Sequence, residues 1–236
     1  MKSQPKSQPL QNTERKGVSL ISTIKQNKLL AAAVIAYFVI FTALSVLKHE
    51  SFHSTAFDLG VFDQNVWMMS QGRMDINTVN GFIGFADHVQ PILFIPSLLY
   101  KLFPSPILLI VLQVLMISIG AIPLYLIARK KLGHKIAMLF VLAYFLYPSI
   151  QHQTLFDFHT ESFLIPFLMW AIYFLIEKSM KGVFIFLFLA GLTKEYIPLV
   201  FIFFAAYILI FYRKPKAAAA LSILAVVWLW LNYGVI

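Results

Sequence analysis

Cysteine is absent from the 236-residue chain. The protein therefore has no disulfide, no cysteine-based zinc site and no thiol nucleophile. Charge is also scarce, because Asp, Glu, Lys and Arg make up 12% of the residues, against roughly 25% in an average soluble domain. Hydrophobic residues make up 60%, and the mean hydropathy is +0.79. These values exclude an ordinary soluble domain and predict an all-α protein that crosses a membrane several times.

Other missing patterns narrow the function classes. The chain has no glycine-rich phosphate loop of the kind used by nucleotide-binding folds. Although the formal net charge is +9, no basic stripe is interleaved with aromatic residues, so we expect no nucleic-acid partner. Internal repeats, which are typical of many transporters, are also not evident.

Apolar runs predict about seven transmembrane helices, bounded by charged residues or by proline. A helix of about 20 apolar residues is long enough to cross the hydrocarbon core. The predicted helices are residues 29–47, 107–128, 136–147, 162–176, 183–192, 197–212 and 217–236. The last run stops without a charged flank, which predicts that the chain is truncated at its C-terminus.

The regions outside these runs have distinct compositions. Residues 1–28 are polar and basic, and predict a disordered cytoplasmic tail with a short interfacial helix near residues 18–24. Residues 29–236 would form the transmembrane domain. Its first outer loop, residues 48–105, contains the longest polar stretch between the apolar runs, and the other polar segments are interpreted in relation to it.

Two segments of the outer loop predict short helices. Phe62, Val66 and Met69 recur at i, i+4 and i+7, which predicts an amphipathic helix along the membrane surface. Residues 92–103 are apolar but too few to span, and predict a second interfacial or re-entrant helix.

The distribution of Lys and Arg predicts the orientation. With the N-terminal tail inside, 15 of these residues fall on the cytoplasmic side and 4 on the other side. Short loops rich in Lys and Arg face the cytoplasm. Most acidic residues and five of the six histidines fall on the outer side. The orientation rule does not explain why the acidic residues lie on the outer side. We therefore interpret them as groups that do chemistry on the outer face of the protein, and we expect the protein to lie in the cell membrane.

Outer segments carry polar and ionisable side chains at the ends of apolar helices, where such groups are functional candidates. The candidates are Asp58, Asp63, Gln64, His88, Asp157, His159, Glu161, Lys194 and Glu195.

Each candidate also has a purely structural interpretation. Asp58 is suited to cap the helix that begins near residue 59, and Asp63 to lie on its solvated face. The segment from Asp87 and His88 to Pro91 is suited to a simple turn.

The later candidates have alternatives of the same kind. Asp157 and Glu161 would share a face if they lay on one helix, or Thr160 would cap the next span with Glu161 in its first turn. Lys194 and Glu195 would form a neighbouring ion pair, or Lys194 would bind a phosphate.

Taken together, these motifs resemble an uncharacterised prokaryotic membrane-protein family grouped with the GT-C glycosyltransferases. The residues that carry the resemblance are Phe57-Asp58-Leu59-Gly60-Val61-Phe62-Asp63-Gln64, His88-Val89-Gln90-Pro91, Phe158-His159-Thr160-Glu161 and Lys194-Glu195. The stretch from His88 to Gly133 is similar to dolichyl-phosphate-mannose transferases and aminoarabinose transferases. The sequence departs from these families at two positions. It has the single proline Pro91 where those transferases often have two, and Thr160 where the uncharacterised family often has proline.

The resemblance implies a GT-C-like core that transfers a sugar from a polyprenyl-phosphate donor to an acceptor outside the membrane. It implies catalytic roles for Asp58, as the base, His88 and Glu161. The same three residues are candidate ligands for a divalent cation, Mg or Mn, although no ligand spacing typical of a metal site is present. Lys194 is placed to meet the lipid phosphate. The alternatives are a transporter or flippase, and a non-catalytic membrane assembly partner.

Overall fold

The computed structural model describes residues 27–234 and their side chains through Tyr233. The described part of the chain is all-helical and contains no β-strand. The predicted tail, with its interfacial helix at residues 18–24, lies outside the described residues except for its last two. The α-helices described are α1 Lys28–Glu50, α2 Val61–Ser70, α3 Phe94–Tyr100, α4 Pro106–Leu146, α5 Pro148–Leu155, α6 Glu161–Ile176, α7 Met180–Gly191, α8 Pro198–Tyr212 and α9 Pro215–Gly234.

Three of the described helices are long and apolar enough to cross a membrane: Lys28–Glu50, Pro106–Leu146 and Pro215–Tyr233. Four further apolar segments are shorter. The longest of them, α6, has 16 residues and measures about 24 Å at 1.5 Å per residue, against a hydrocarbon core of about 30 Å. Most predicted helix boundaries agree with the structure within a few residues, but the length of these segments does not establish seven crossings.

Helix α4 is broken at Gly133, whose φ of 80° and ψ of 173° leave the helical region. The two halves fold back against each other, because the Tyr144 hydroxyl donates a hydrogen bond of 2.8 Å to the Ile117 carbonyl. In a straight helix these residues would be about 40 Å apart. The prediction that residues 107–128 and 136–147 form two separate helices is therefore confirmed.

Prolines begin several of the helices. Pro106, Pro148 and Pro198 each occupy the first turn of a helix, where the missing backbone N–H costs nothing. Ser105 adds a side-chain cap by accepting a hydrogen bond from the Ile107 N–H. Helix α5, which begins at Pro148, was not predicted from the sequence.

Apolar side chains form three clusters within the described residues. One joins α6, α7, α8 and α9, and a second joins α1 to both halves of α4. The third lies beneath the outer loop, where α2 packs against α3 and the start of α4. The predicted apolar face of α2 is confirmed, since Phe62, Val66 and Met69 are all buried in this third cluster. This cluster supports the loop in which the candidate residues lie.

The two ends of the helical bundle differ in the polar residues that they carry. At one end, the Tyr125 hydroxyl contacts Asn27 and His134, and Lys130 forms an ion pair with Glu177. The opposite end begins where α1 ends, at Glu50. The outer loop and the candidate site lie at that second end.

Candidate functional site

A polar cavity of about 150 Å³ opens beneath the outer loop. Residues from four separate parts of the chain line it, among them Asp58, Asp87, His88, Gln90, His159 and Lys194. A larger cavity of about 540 Å³ lies between α4 and α6, but its lining includes no carboxylate, imidazole or ammonium group. We therefore take the smaller, polar cavity as the candidate site.

Asp58 lies in a π-helical turn, Ala56–Gly60, that leads into α2. Thr55, and not Asp58, caps this turn, because the Thr55 hydroxyl oxygen accepts a hydrogen bond from the Asp58 N–H at 3.2 Å. The Thr55 hydroxyl also donates to Asp58 Oδ2 at 2.8 Å. The capping interpretation of Asp58 is thus wrong, and its carboxylate is left to face the cavity.

His159 is the nearest basic side chain to Asp58, with 3.6 Å between His159 Nε2 and Asp58 Oδ1. The other ring nitrogen, Nδ1, lies 3.0 Å from the Asp157 carbonyl oxygen, so it must carry a proton to donate to that acceptor. The imidazole is held edge-on to the Phe62 ring, with 5.5 Å between centroids. Asp58 and His159 are therefore fixed side by side in the cavity wall.

Asp157 does not line the cavity but anchors its wall. Its carboxylate, which is 4% exposed, accepts hydrogen bonds from Lys48 Nζ at 2.7 Å and from the Thr55 N–H at 2.6 Å. Burial opposes the charged form, but these hydrogen bonds and the Lys48 charge outweigh it and lower the pKa of Asp157 below its ordinary value. Asp157 also lies beyond the end of α5 at Leu155, so the prediction that it shares a helical face with Glu161 is wrong.

Gln113, near the start of α4, fixes the backbone around His159. Its amide nitrogen donates to the carbonyl oxygens of Gln153 at 3.1 Å and Phe156 at 2.9 Å. Its amide oxygen accepts from the His159 N–H at 2.9 Å. Sequence reasoning missed Gln113, although a glutamine within an apolar helix was itself a signal of a buried polar role.

Glu195 holds the turn that carries His88. Its carboxylate lies 3.1 Å from His88 Nδ1 and accepts a hydrogen bond from the Val89 N–H at 3.3 Å. A backbone hydrogen bond of 2.9 Å from the Ile92 N–H to the Leu192 carbonyl joins the same two segments. The turn at residues 88–92 and the turn at residues 192–195 are therefore clamped together.

Lys194 is 5% exposed and lines the cavity. Its ammonium lies 3.4 Å from Glu161 Oε1. Since Glu195 is paired with His88, the interpretation of Lys194 and Glu195 as a neighbouring ion pair is wrong. Glu161 is not part of the cavity lining, but it contacts Lys194, which is.

Thr160 precedes α6 without making a side-chain cap. Its hydroxyl donates instead to the Thr193 carbonyl at 3.0 Å. Thr160 thus occupies the predicted N-cap position without a side-chain capping bond, and Glu161 lies in the first turn of α6 as predicted. The bond from Thr160 brings the start of α6 against the Lys194 turn.

Besides Asp157, Glu161 and Glu195, two further candidates, Asp63 and Gln64, are not part of the cavity lining. Asp63 is half-buried rather than solvated, and it accepts a hydrogen bond of 2.7 Å from the Tyr100 hydroxyl. The Gln64 amide oxygen accepts from the Thr78 N–H and hydroxyl. Both side chains tie α2 to the rest of the outer loop.

The structure brings Asp58 and His88 into one cavity, with Glu161 beside it. Among residues 27–234, no group of three or more His, Asp or Glu side chains is close enough together to hold a metal ion. The cation ligands predicted at Asp58, His88 and Glu161 therefore stay a prediction.

Comparison with known proteins gives one match. Residues 48–236 match the family model described as Predicted membrane protein (DUF2079). The matched region takes in every residue named above in the cavity wall. Neither the curated proteins nor the solved structures contain a match to this chain.

Proposed function

This chain belongs to the DUF2079 family of predicted membrane proteins, and from that premise we propose that it is a membrane-embedded glycosyltransferase with a GT-C-like core. It would transfer a sugar from a polyprenyl-phosphate donor to an acceptor on the extracytoplasmic side of the cell membrane. The observation that carries the proposal is a single cavity that contains the carboxylate of Asp58 and the buried ammonium of Lys194. One group is suited to take a proton and the other to bind a phosphate.

The proposed reaction has one displacement step. An acceptor hydroxyl oxygen bonds to the anomeric carbon as the bond from that carbon to the phosphate oxygen breaks. Asp58 takes the hydroxyl proton as general base. The bonding electron pair leaves on the polyprenyl phosphate, and Lys194 stabilises the added negative charge.

The remaining candidates support these two groups. His159 lies against Asp58, and Glu161 orients Lys194. Glu195 holds His88 at the cavity wall. Asp157 fixes Thr55 and, through it, Asp58. We propose that Asp63 and Gln64 hold α2 in place over the bound sugar.

The test is transfer of a labelled sugar from a polyprenyl-phosphate donor in membranes. We expect Asp58→Asn to lower the rate by about a hundredfold or more, since a general base contributes roughly 10²–10⁴-fold. Asp75→Asn is the matched control, because Asp75 lies in the same outer loop, forms an ion pair with Arg73 and does not line the cavity.

Three results would contradict the proposal. Normal transfer by Asp58→Asn would show that Asp58 is not the base. Accumulation of a solute in vesicles, with no sugar transfer by the wild type, would favour a transporter. A wild type with neither activity would favour the assembly-partner alternative.

A further inference from the structure

Gln90 is a buried side chain with an unused hydrogen-bond donor. The residue is 3% exposed, and its Nε2 atom has no hydrogen-bond partner. Among the described residues, one other buried side-chain atom shares this property, Thr42 Oγ1, which is not part of the polar cavity. Since an unpaired buried polar group destabilises a fold, the Gln90 amide requires an explanation.

The position of Gln90 is fixed from both sides. Val89 is bonded to Glu195, and Ile92 to Leu192. Gln90 therefore lies against the turn that carries Lys194, and both residues are among those that line the polar cavity. The wall of the cavity thus combines a residue that has an unpartnered amide donor with a buried lysine.

The other charged groups of the cavity have partners within the protein. Asp58 accepts from Thr55, and Asp87 accepts from Asn80 at 3.2 Å. Lys194 has one carboxylate contact, at 3.4 Å, and its ammonium carries three donors. Donors at Gln90 and Lys194 therefore remain for a ligand, and such a ligand must present acceptor oxygens.

We propose that Gln90 Nε2 and Lys194 Nζ together bind the oxygens of a phosphate group. An anionic oxyanion satisfies the amide and gives the buried ammonium a second counter-charge. The cavity has the volume of roughly five water molecules, which is room for a phosphate. The inference rests on the proposed function and extends it, since it makes Gln90 a second phosphate ligand beside Lys194.

The test measures binding to the full chain in detergent or nanodiscs. The probes are farnesyl phosphate, farnesol as its neutral match, and inorganic phosphate as the free source. We expect the wild type to bind farnesyl phosphate more tightly than farnesol. Gln90→Leu, which keeps the approximate size but removes the donor, is expected to weaken farnesyl phosphate binding about tenfold and leave farnesol unchanged.

A second variant and a control sharpen the result. Gln90→Glu keeps the shape and adds a negative charge, so it is expected to weaken phosphate binding more than Gln90→Leu does. Gln151→Leu is the control for binding, because its amide donates to the Phe145 carbonyl and lies outside the cavity. It is expected to bind farnesyl phosphate as the wild type does.

Thermal stability separates a ligand role from a structural one. Gln113→Leu would leave buried carbonyl groups without their donor, and we expect it to lower the melting temperature. Gln90→Leu removes an atom that has no partner, so the ligand-free variant is expected to melt no lower than the wild type. A loss like that of Gln113→Leu would show that the amide is structural and would overturn the inference.

The binding outcomes are also decisive. Equal binding of farnesyl phosphate by the wild type and Gln90→Leu, or no phosphate binding by the wild type, overturns the inference. Tight binding of inorganic phosphate, lost in Gln90→Leu, supports the site with free phosphate as the source.

The two proposals can fail separately. If the wild type transfers sugar and Gln90→Leu binds phosphate normally, the Gln90 assignment alone is wrong. If phosphate binding depends on Gln90 but no sugar is transferred, the proposed reaction alone is wrong.

Discussion

Individual side chains fix the wall of the candidate cavity in position, and Asp157 is the clearest example. Its carboxylate joins the end of α1, through Lys48, to the turn that carries Asp58, through Thr55. Hydrogen bonds to a charged group are worth about 1.5–3 kcal/mol each. The position of the proposed base therefore depends on a residue that does not contact the cavity.

We predict that Asp157→Asn lowers the free energy of unfolding by about 1–3 kcal/mol, because the ion pair with Lys48 is lost. Asp75→Asn is the control, since the exposed pair of Asp75 with Arg73 should contribute less than about 1 kcal/mol. Thermal or denaturant unfolding in detergent measures both. Equal effects of the two substitutions would contradict the importance of the buried pair.

The same carboxylate predicts a pH dependence. The pKa of Asp157 is lowered in the folded protein, so its contribution to stability is fully present above its ordinary pKa of about 4. The contribution is lost as the pH falls through the folded value. We expect the stability difference between wild type and Asp157→Asn to shrink below about pH 4. A difference that stays constant down to pH 2 would show that the pKa is not lowered.

At the scale of the elements, the break in α4 decides how the helices pack. Gly133 has a φ of 80° and a ψ of 173°, a combination that is adopted almost only by glycine. Its missing side chain would meet no atom within 4 Å. Only the backbone conformation therefore requires glycine here.

We predict that Gly133→Ala destabilises the protein by about 1–3 kcal/mol through backbone strain alone. Gly60→Ala is the matched control, because Gly60 has a helical φ of −66° and its added methyl group would come no closer than 3.7 Å to another atom. Unfolding in detergent should show a clear loss for Gly133→Ala and little change for Gly60→Ala. No loss for Gly133→Ala would mean that α4 is not held in this bend.

At the scale of the whole molecule, the charged residues are divided between two ends of the helical bundle. Lys130 and Glu177 pair at one end, and the cavity with Asp58 and Lys194 lies at the other. The bias of Lys and Arg predicts that the cavity faces outward.

The orientation can be measured by labelling single introduced cysteines. Because the natural chain contains no cysteine, the wild type is the control that should not be labelled. We predict that Ser51→Cys, at the cavity end, reacts with a membrane-impermeant maleimide in intact cells. Lys131→Cys, at the other end, should react only after permeabilisation. Both positions are exposed in the structure. The reverse pattern would place the cavity in the cytoplasm and remove the proposed extracytoplasmic reaction.

The sequence predicted the helices well because hydropathy, proline and charge act locally. The stop after residue 128 and the return at residue 136 are visible in the sequence itself, and the structure has the bend at Gly133 between them. The sequence could not decide how many helices span, because segments of 12 to 16 residues fall below the usual length.

The sequence by itself determined that this is a helical membrane protein with most of its acids and imidazoles gathered in a few polar segments between apolar helices. Only the tertiary structure decided their partners: Lys194 faces Glu161 and not its neighbour Glu195, and Lys48 pairs with Asp157 across 109 residues. It also decided that Gln90, in an ordinary-looking turn, is buried with a free donor. The physical reason is that the hydropathy of a segment depends only on its own residues. A hydrogen bond or an ion pair between remote residues forms only when the segments that carry them pack together.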